Sequence, residues 1–499
     1  MAARDLTQGI ASTDVAEGAI VAGTVDGRDV VLVRHHGRVC ALAGQCTHAK
    51  APLAEGIVAD GTLRCPWHHA RFDLSTGEAV HAPAFAPLST YRVSEVDGRV
   101  TVSDTTDAAP APETLAFDRR VVIVGGGAAG HACAEMFARH GAGAAVTLIG
   151  EESEAPYDRT MCSKQYLSGD KARDAASLPD LPGVAVRLGQ PVERIDRAAR
   201  QVTIGGGERL SYDMLVLATG AGPIVPGFTG GDRDEVFVVR SLADADRLIA
   251  ASEQAGRAIV LGSSYIGLEV AASLIARGLA VTVISDDPAP LIQTAGPEVG
   301  AMVQRLHEDQ GVTFLLGRSV ERWDGEVATL DDGSRVAGDL LVAGTGVAPR
   351  IDLAEAAGLT TRSTDEGGGI VVDARLATSD PSIRAIGDIA SVPDPRLGHP
   401  VRVEHWVVAQ RMGQWLARHL LGLVEGDYVA VPFFWSGHYD TNLRYVGHAD
   451  SPDERRIDGD VAQQDAAVFF TGNGDEQAVL TIARDRQALK EEVRLEARS

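Results

Sequence analysis

The sequence predicts an α/β chain of several domains: a small all-β domain first, then two successive parallel-sheet units, then a small α+β domain. Three observations predict it. Residues 1 to 104 are short β-prone runs, such as DVVLVR and RVCAL, parted by Gly and Asp turns. Beyond them a strand, glycine-turn, helix, strand pattern occurs twice, with first glycines Gly125 and Gly262 about 137 residues apart. At 499 residues the chain also exceeds what one hydrophobic core organises, given about 150 residues per domain.

Bulk properties narrow the partners. With 46 Lys and Arg against 69 Asp and Glu, the net charge of −23 repels nucleic acid and anionic membrane, so neither is expected as a partner. No apolar run approaches the roughly 20 residues of a membrane span, and MAARDLTQGIASTDVAEG lacks the apolar core of a signal peptide. A cytoplasmic chain without membrane insertion is the expectation. Five scattered cysteines do not make a disulfide framework and point to metal or redox chemistry.

The all-β domain (1–104) carries Cys46-x-His48, a gap of sixteen residues, then Cys65-x-x-His68. Zinc accepts two Cys and two His in a tetrahedron. The alternation decides against zinc: each short loop supplies one thiolate and one imidazole, which suits a 2Fe-2S cluster with two Cys on one iron and two His on the other. CTHAKAPLAEG and CPWHHARFDLSTGEA resemble the two cluster loops of Rieske domains, and the resemblance spans most of residues 5 to 103. Two positions depart from it, because Lys50 and His69 stand where such loops carry Gly, and a Cβ at a tight turn strains or reshapes the loop. No further Cys closely follows either ligand pair, so the ferredoxin-like Rieske type is the closer match, and Cys40, in a strand-like run, is expected in the core.

A Pro- and acid-rich linker is expected over 105–118. The first parallel unit (119–235) opens with RRVVIVGGGAAGHACAEMFARHGAGAAVTLIGE. Gly125 permits the tight turn, Gly127 lets the backbone approach a pyrophosphate at the helix N-terminus, and Gly130 lets helix and strand pack closely. Glu151, 21 residues beyond Gly130, can accept from a ribose 2′-OH, so this is a Rossmann-like dinucleotide unit. APYDRTMCSKQYLSG resembles the corresponding stretch of flavin-dependent ferredoxin reductases, which implies that Arg159 and Lys164 lie along the flavin and its phosphates. SYDMLVLATGAGP supplies Ala218, Thr219 and Gly220, which in that family form a turn near the flavin where the chain crosses into its second nucleotide domain.

That second unit (236–347) repeats the pattern with Gly262-x-Ser264-x-x-Gly267, where Ser264 replaces the middle glycine. Two dinucleotide units imply two dinucleotides, flavin and nicotinamide being the usual pair. Ser285 occupies the position at which the family carries Glu, Asp286 follows it, and no Lys or Arg lies from Ser285 to Gln304 to receive a 2′-phosphate, so NADH is favoured over NADPH. The resemblance implies that Glu269 lies close to nicotinamide and flavin, and Gly346, in GDLLVAGTGVAP, closes the unit. The chain then returns to the interrupted flavin domain (348–425), where Asp388 matches the Asp on the flavin ribityl chain. VRVEHWVVAQRMG resembles the helix whose N-terminus faces the flavin pyrimidine, with Glu404, His405 and Trp406 at that end. Residues 426–499 resemble the reductases' C-terminal domain, and the charged stretch ARDRQALKEEVRLEARS reads as a helix on the surface.

The chain as a whole resembles the apoptosis-inducing-factor-like proteins that fuse a Rieske domain to a ferredoxin-reductase-like flavoprotein. That resemblance implies FAD, a 2Fe-2S cluster and NAD(P)H as cofactors, with Lys164 and Glu269 orienting the flavin and electrons leaving to a ferredoxin- or oxygenase-type acceptor protein. Two alternatives stand beside it. One is an NADH-responsive signalling or binding protein; the other is a flavin-thiol disulfide or peroxide reductase using Cys162, which stands two residues before Lys164 where these reductases carry Leu. Monomer and homodimer are both compatible with the sequence.

Overall fold

The structure, a computed structural model, describes residues 4–107 and 114–498. Its N-terminal domain is a six-stranded antiparallel sheet in the order Ile10–Ala11, Arg99–Asp107, Thr90–Val96, Arg38–Ala43, Arg28–His35, Ile20–Val25. Period-2 alternation makes the strand Arg28–His35 serve two cores. Val30 and Leu32 pack with Leu6 and Val100, whereas Val31 and Val33 face Leu42, Leu63 and Phe72 together with Cys46 and Cys65. A second, four-stranded sheet (Ile57–Ala59, Thr62–Arg64, Arg71–Asp73, Ala79–His81) adjoins the Cys46 loop and contains the Cys65 loop. Cys40 lies within the strand Arg38–Ala43, half-buried against the second core. Of the linker expected over 105–118, residues 105–107 still belong to the strand Arg99–Asp107, and residues 108–113 lie outside the described residues.

Two parallel sheets follow with matching order. The first runs Ala185–Arg187, Val146–Ile149, Val121–Val124, Met214–Leu217, Ile383–Ala385; the second runs Thr313–Leu316, Ala280–Ser285, Arg257–Leu261, Leu340–Ala343, Val236–Phe237. Strand Ile383–Ala385 completes the first sheet only after the chain has built the second, so one unit is inserted into the other. Their central strands, VVIV and RAIVL, read as apolar runs rather than alternations because the sheets are covered on both faces. Gly130 and Gly267 make the same close approach: a Cβ would lie 1.9 Å from the Gly125 carbonyl oxygen in one and 2.2 Å from that of Gly262 in the other. Any side chain there would push the helix off its strand. Ala221–Pro223 and Val347–Pro349 pair antiparallel as the two-stranded ribbon joining the units.

Helix Ala128–Arg139 packs along helix Trp406–Leu420, whose own N-terminal residue reaches the mouth of the first unit. The chain closes with a five-stranded antiparallel sheet (order Phe433–His438, Thr441–Gly447, Asp475–Ile482, Asp465–Gly472, Glu454–Asp460) and the helix Asp485–Glu496. Here the structure corrects the expectation of a surface helix. Ala488, Leu489, Glu492 and Leu495 form a buried stripe at helical spacing, and Glu492 is wholly buried because four cationic or polar groups converge on its carboxylate. No helix among the described residues is long and apolar enough to cross a membrane.

Candidate functional site

A cavity of about 1080 Å³ opens at the C-terminal ends of strands Val121–Val124, Val146–Ile149 and Met214–Leu217, where a parallel sheet binds ligands. Gly125, Gly127, Glu151, Arg159, Lys164, Ala218, Thr219, Gly220, Asp388, Glu404 and Trp406 all line it. Gly127 is the N-cap of helix Ala128–Arg139 and offers no side-chain cap, so the first-turn N–H groups are left to a ligand anion. Gly130 stands behind them as the packing glycine.

Several charges meet at the cavity wall. Arg159 pairs with Glu152, donates to the Tyr157 hydroxyl (2.7 Å) and the Arg240 carbonyl (3.0 Å), and is thereby held rigid. Asp388 pairs with Arg240 (3.1 Å) and Glu151 with Arg350 (2.8 Å). Arg350 begins where the inter-unit ribbon ends, and its N–H donates to the Gly220 carbonyl at 3.0 Å. Burial raises the carboxyl of Glu404, whose partner is Arg402. His405 turns away from the cavity onto the Phe434 ring, 4.2 Å between centroids, and burial pushes its imidazole down to about 3, so it is neutral.

Lys164 and Glu269 form an ion pair at 2.8 Å. The same carboxylate accepts from Ser163 at 2.7 Å and from Ser436 at 3.0 Å, so one buried acid from the inserted unit ties together the flavin-side stretch and the C-terminal sheet. In the inserted unit, Gly262 and Gly267 shape the turn, and Ser264 caps nothing: its hydroxyl donates to the Gly344 carbonyl at 3.3 Å, which leaves the helix Tyr265–Ala276 with a free N-terminus. A Cβ at Gly346 would meet open space. Asp286 is the first residue beyond strand Ala280–Ser285 and is exposed, while the Ser285 hydroxyl is buried against that of Ser263 (3.0 Å).

Cys46, His48, Cys65 and His68 converge at the tips of two loops of like backbone. Lys50 N–H donates to the Cys46 carbonyl (2.9 Å) and His69 N–H to that of Cys65 (3.2 Å), with Lys50 and His69 both left-handed at φ +62° and +57°. The strain expected of a side chain at these turns is therefore present in both. The Cys65 thiol donates to Cys46, which depresses Cys46 and holds Cys65 well above the usual thiol range; the first sulfur also accepts from the N–H groups of His48 and Ala49, the second from those of His68 and Trp67. Burial lowers both His48 and His68, keeping the imidazoles neutral as metal ligation requires. Their Nδ1 atoms lie 3.2 Å apart. Two metal–nitrogen bonds of about 2.1 Å can span that distance, so the two imidazoles would fit one iron of a 2Fe-2S cluster, with the two thiols as donors for the other.

The cluster loop is not remote from the cavity. The His68 ring lies 4.1 Å from that of Trp435, centroid to centroid, and the neighbours of Trp435 on its strand are Ser436, bonded to Glu269, and Phe434, packed on His405. His69 is buried next door, with Nδ1 2.9 Å from Glu492 Oε2 and its ring stacked on Phe433 at 3.8 Å. Arg411 (2.8 Å) and Arg71 (3.3 Å) share the other oxygen of Glu492, and although burial opposes it, this surround keeps the carboxyl well below the usual range. Sequence reasoning missed Arg240, Arg350, Trp435, Arg411 and Glu492. Only Glu492 carried a signal, since it falls in the apolar stripe of its helix.

A family model described as pyridine nucleotide-disulphide oxidoreductase matches residues 119–413, and one described as Rieske [2Fe-2S] domain matches residues 7–92. The ferredoxin–NAD(+) reductase component of the anthranilate 1,2-dioxygenase system of Burkholderia cepacia is 39% identical over 379 residues, 72% of this chain and 90% of that protein. Apoptosis-inducing factor 3 of Homo sapiens is 28% identical over 478 residues, 90% of this chain and 76% of that protein. Among solved structures, the reductase of a covalent putidaredoxin reductase–putidaredoxin complex superposes with a TM-score of 0.71 at 31% identity, covering 77% of this chain and 94% of its own.

Proposed function

The chain belongs to the pyridine nucleotide-disulphide oxidoreductase family, as a ferredoxin–NAD(+) reductase-like enzyme that carries a Rieske domain, and from that premise we propose that its electrons run from NADH through FAD to its own 2Fe-2S cluster and on to a ferredoxin- or oxygenase-type protein. When bound, FAD takes a hydride from the nicotinamide and can release its two electrons singly, as a one-electron cluster requires. The chain's residues do the rest. The bare helix N-termini at Gly127 and Ser264 would receive the two pyrophosphates, Glu151 and Asp286 would accept from ribose hydroxyls, and Asp388, paired with Arg240, would hold the ribityl chain. Hydride transfer calls for no protein acid or base, so Lys164 and Glu269, paired with each other, would orient the flavin, and Cys46, Cys65, His48 and His68 would hold the two irons.

The observation that supports this route is the strand Phe433–His438, which lays Trp435 on the ligand His68 and, one residue on, binds Ser436 to the Glu269–Lys164 pair. NADH remains favoured over NADPH. Arg318, which the fold brings beside Ser285, pairs with Asp332 at 2.9 Å on the surface. Cys162 supports the same route against the thiol alternative: it is buried among Tyr157, Met161 and Leu242, does not line the cavity, and burial pushes its thiol up to about 12. Anaerobic stopped flow of the holoenzyme with NADH tests the reading. Flavin bleaching is expected first and cluster reduction second; a His48→Ala variant keeps only the first phase. Equally fast cluster reduction in flavin-free protein refutes it, and absence of any second phase or of turnover with an acceptor protein would favour the signalling alternative.

A further inference from the structure

His69 and Glu492 stand outside the cofactor-binding residues, yet both are buried completely and bonded to each other across 423 residues of sequence. His69 holds a left-handed backbone in which a glycine would be more comfortable, so its side chain is retained against a backbone preference. What the side chain gains is a place on the reductase. Its Nδ1 meets Glu492 at 2.9 Å, its ring stacks on Phe433 at 3.8 Å, and its carbonyl accepts from Arg411 at 3.0 Å. Phe433 and Trp435 lie on one face of their strand, at period 2, and receive the two successive loop residues His69 and His68. Arg411 belongs to the same helix as Trp406, about 7.5 Å farther along the axis at about 1.5 Å per residue. One rigid helix therefore touches the flavin cavity at its start and the cluster loop one and a half turns later.

We propose that His69 and Glu492 form a latch between the two domains, making His69 a positioning residue that holds the second cluster loop, and with it His68, at fixed distance from Trp435 and the flavin cavity. This rests on the electron route proposed above. In each event one electron passes from reduced flavin to a ferric iron of the cluster, which becomes ferrous; no bond to the latch is made or broken and no proton passes through it. The latch sets the distance of that event.

The test uses the holoenzyme with His69→Gly, which suits the left-handed turn but removes the link, and His69→Asn, which tolerates the same backbone and can still donate to Glu492. Both are expected to keep the cluster's visible and electron-paramagnetic spectra and wild-type flavin reduction by NADH. His69→Gly is expected to slow the flavin-to-cluster phase at least tenfold, with His69→Asn in between. In the oxidised holoenzyme without NADH, backbone hydrogen exchange over 65–72 and 485–496 is expected to rise at least tenfold in His69→Gly. A second phase within twofold of wild type, or unchanged exchange, overturns the latch while the electron route stands. Loss of the cluster in both variants overturns it too, since His69 would then hold the cluster rather than position it. If the wild-type protein itself shows no reduction of the cluster after the flavin, the failure is that of the route.

Discussion

The loops at Cys46 and Cys65 close with the same hydrogen bond and the same left-handed residue, yet Lys50 in the first points to solvent and His69 in the second is buried under another domain. The backbone of a cluster loop is dictated by the metal site it serves, because each sulfur draws two N–H groups of its own loop. The side chain at the turn is dictated by whatever covers the loop. At Lys50, which is exposed, no described residue covers it; at His69 the C-terminal sheet and helix do, through Phe433 and Glu492. Two equivalent positions thus separate what the cluster requires from what the domain contact requires.

The largest expected effect breaks what the loops share. Cys46→Ser, from one loop, and His68→Ala, from the other, should each abolish the cluster spectrum and leave FAD content and NADH-driven flavin bleaching intact, checked by iron analysis and visible spectroscopy. About two irons per chain in the wild type and near none in either variant is the expectation. Retention of the cluster in either would mean that the loops are not equivalent donors.

The convergence of these four side chains was legible in the sequence because their spacing is local: a thiol and an imidazole two or three residues apart on one turn can be read without knowing what lies across from them. The glycine turns were legible for the same reason, since Gly130 and Gly267 answer to carbonyls five residues earlier in the chain. Trp435, Arg411, Arg240 and Arg350 were not, because each acquires its meaning from a partner far away in sequence, respectively His68, Glu492, Asp388 and Glu151. Charge misled at the C-terminus. A run as polar as Asp485–Glu496 reads as solvated until its fourfold surround of Arg411, Arg71, Arg64 and His69 is known.

A smaller effect is expected from removing the acid that distinguishes the second loop. Glu492→Ala leaves Arg411 buried without its carboxylate, while Arg71 and Arg64 keep Glu496, and breaking a buried ion pair from one side costs about 3–5 kcal/mol. In thermal unfolding followed at two wavelengths, the cluster-bleaching midpoint should fall well below wild type while flavin release shifts less. Equal shifts in the two signals would show that Glu492 stabilises the whole chain and not the contact between domains.

The smallest effect, and the one that sharpens the comparison most, comes from making the same substitution in both loops. Lys50→Gly relieves a left-handed side chain, which costs roughly 1–2 kcal/mol, and gives up only a solvent-screened charge near Cys46; the added freedom of glycine in the unfolded chain takes back about 0.5–1 kcal/mol, so a net gain of roughly 0–1.5 kcal/mol is expected. His69→Gly relieves the same strain at φ +57° but gives up a hydrogen bond to a charged group, worth about 1.5–3 kcal/mol, and the stacking on Phe433, so its net effect should be a loss. Chemical denaturation followed by cluster absorbance measures both. Opposite signs at two positions of one backbone geometry would assign the difference to the covering domain alone. Equal gains would mean that the contacts of His69 contribute no more than solvent does, and the distinction drawn between the two loops would fall with them.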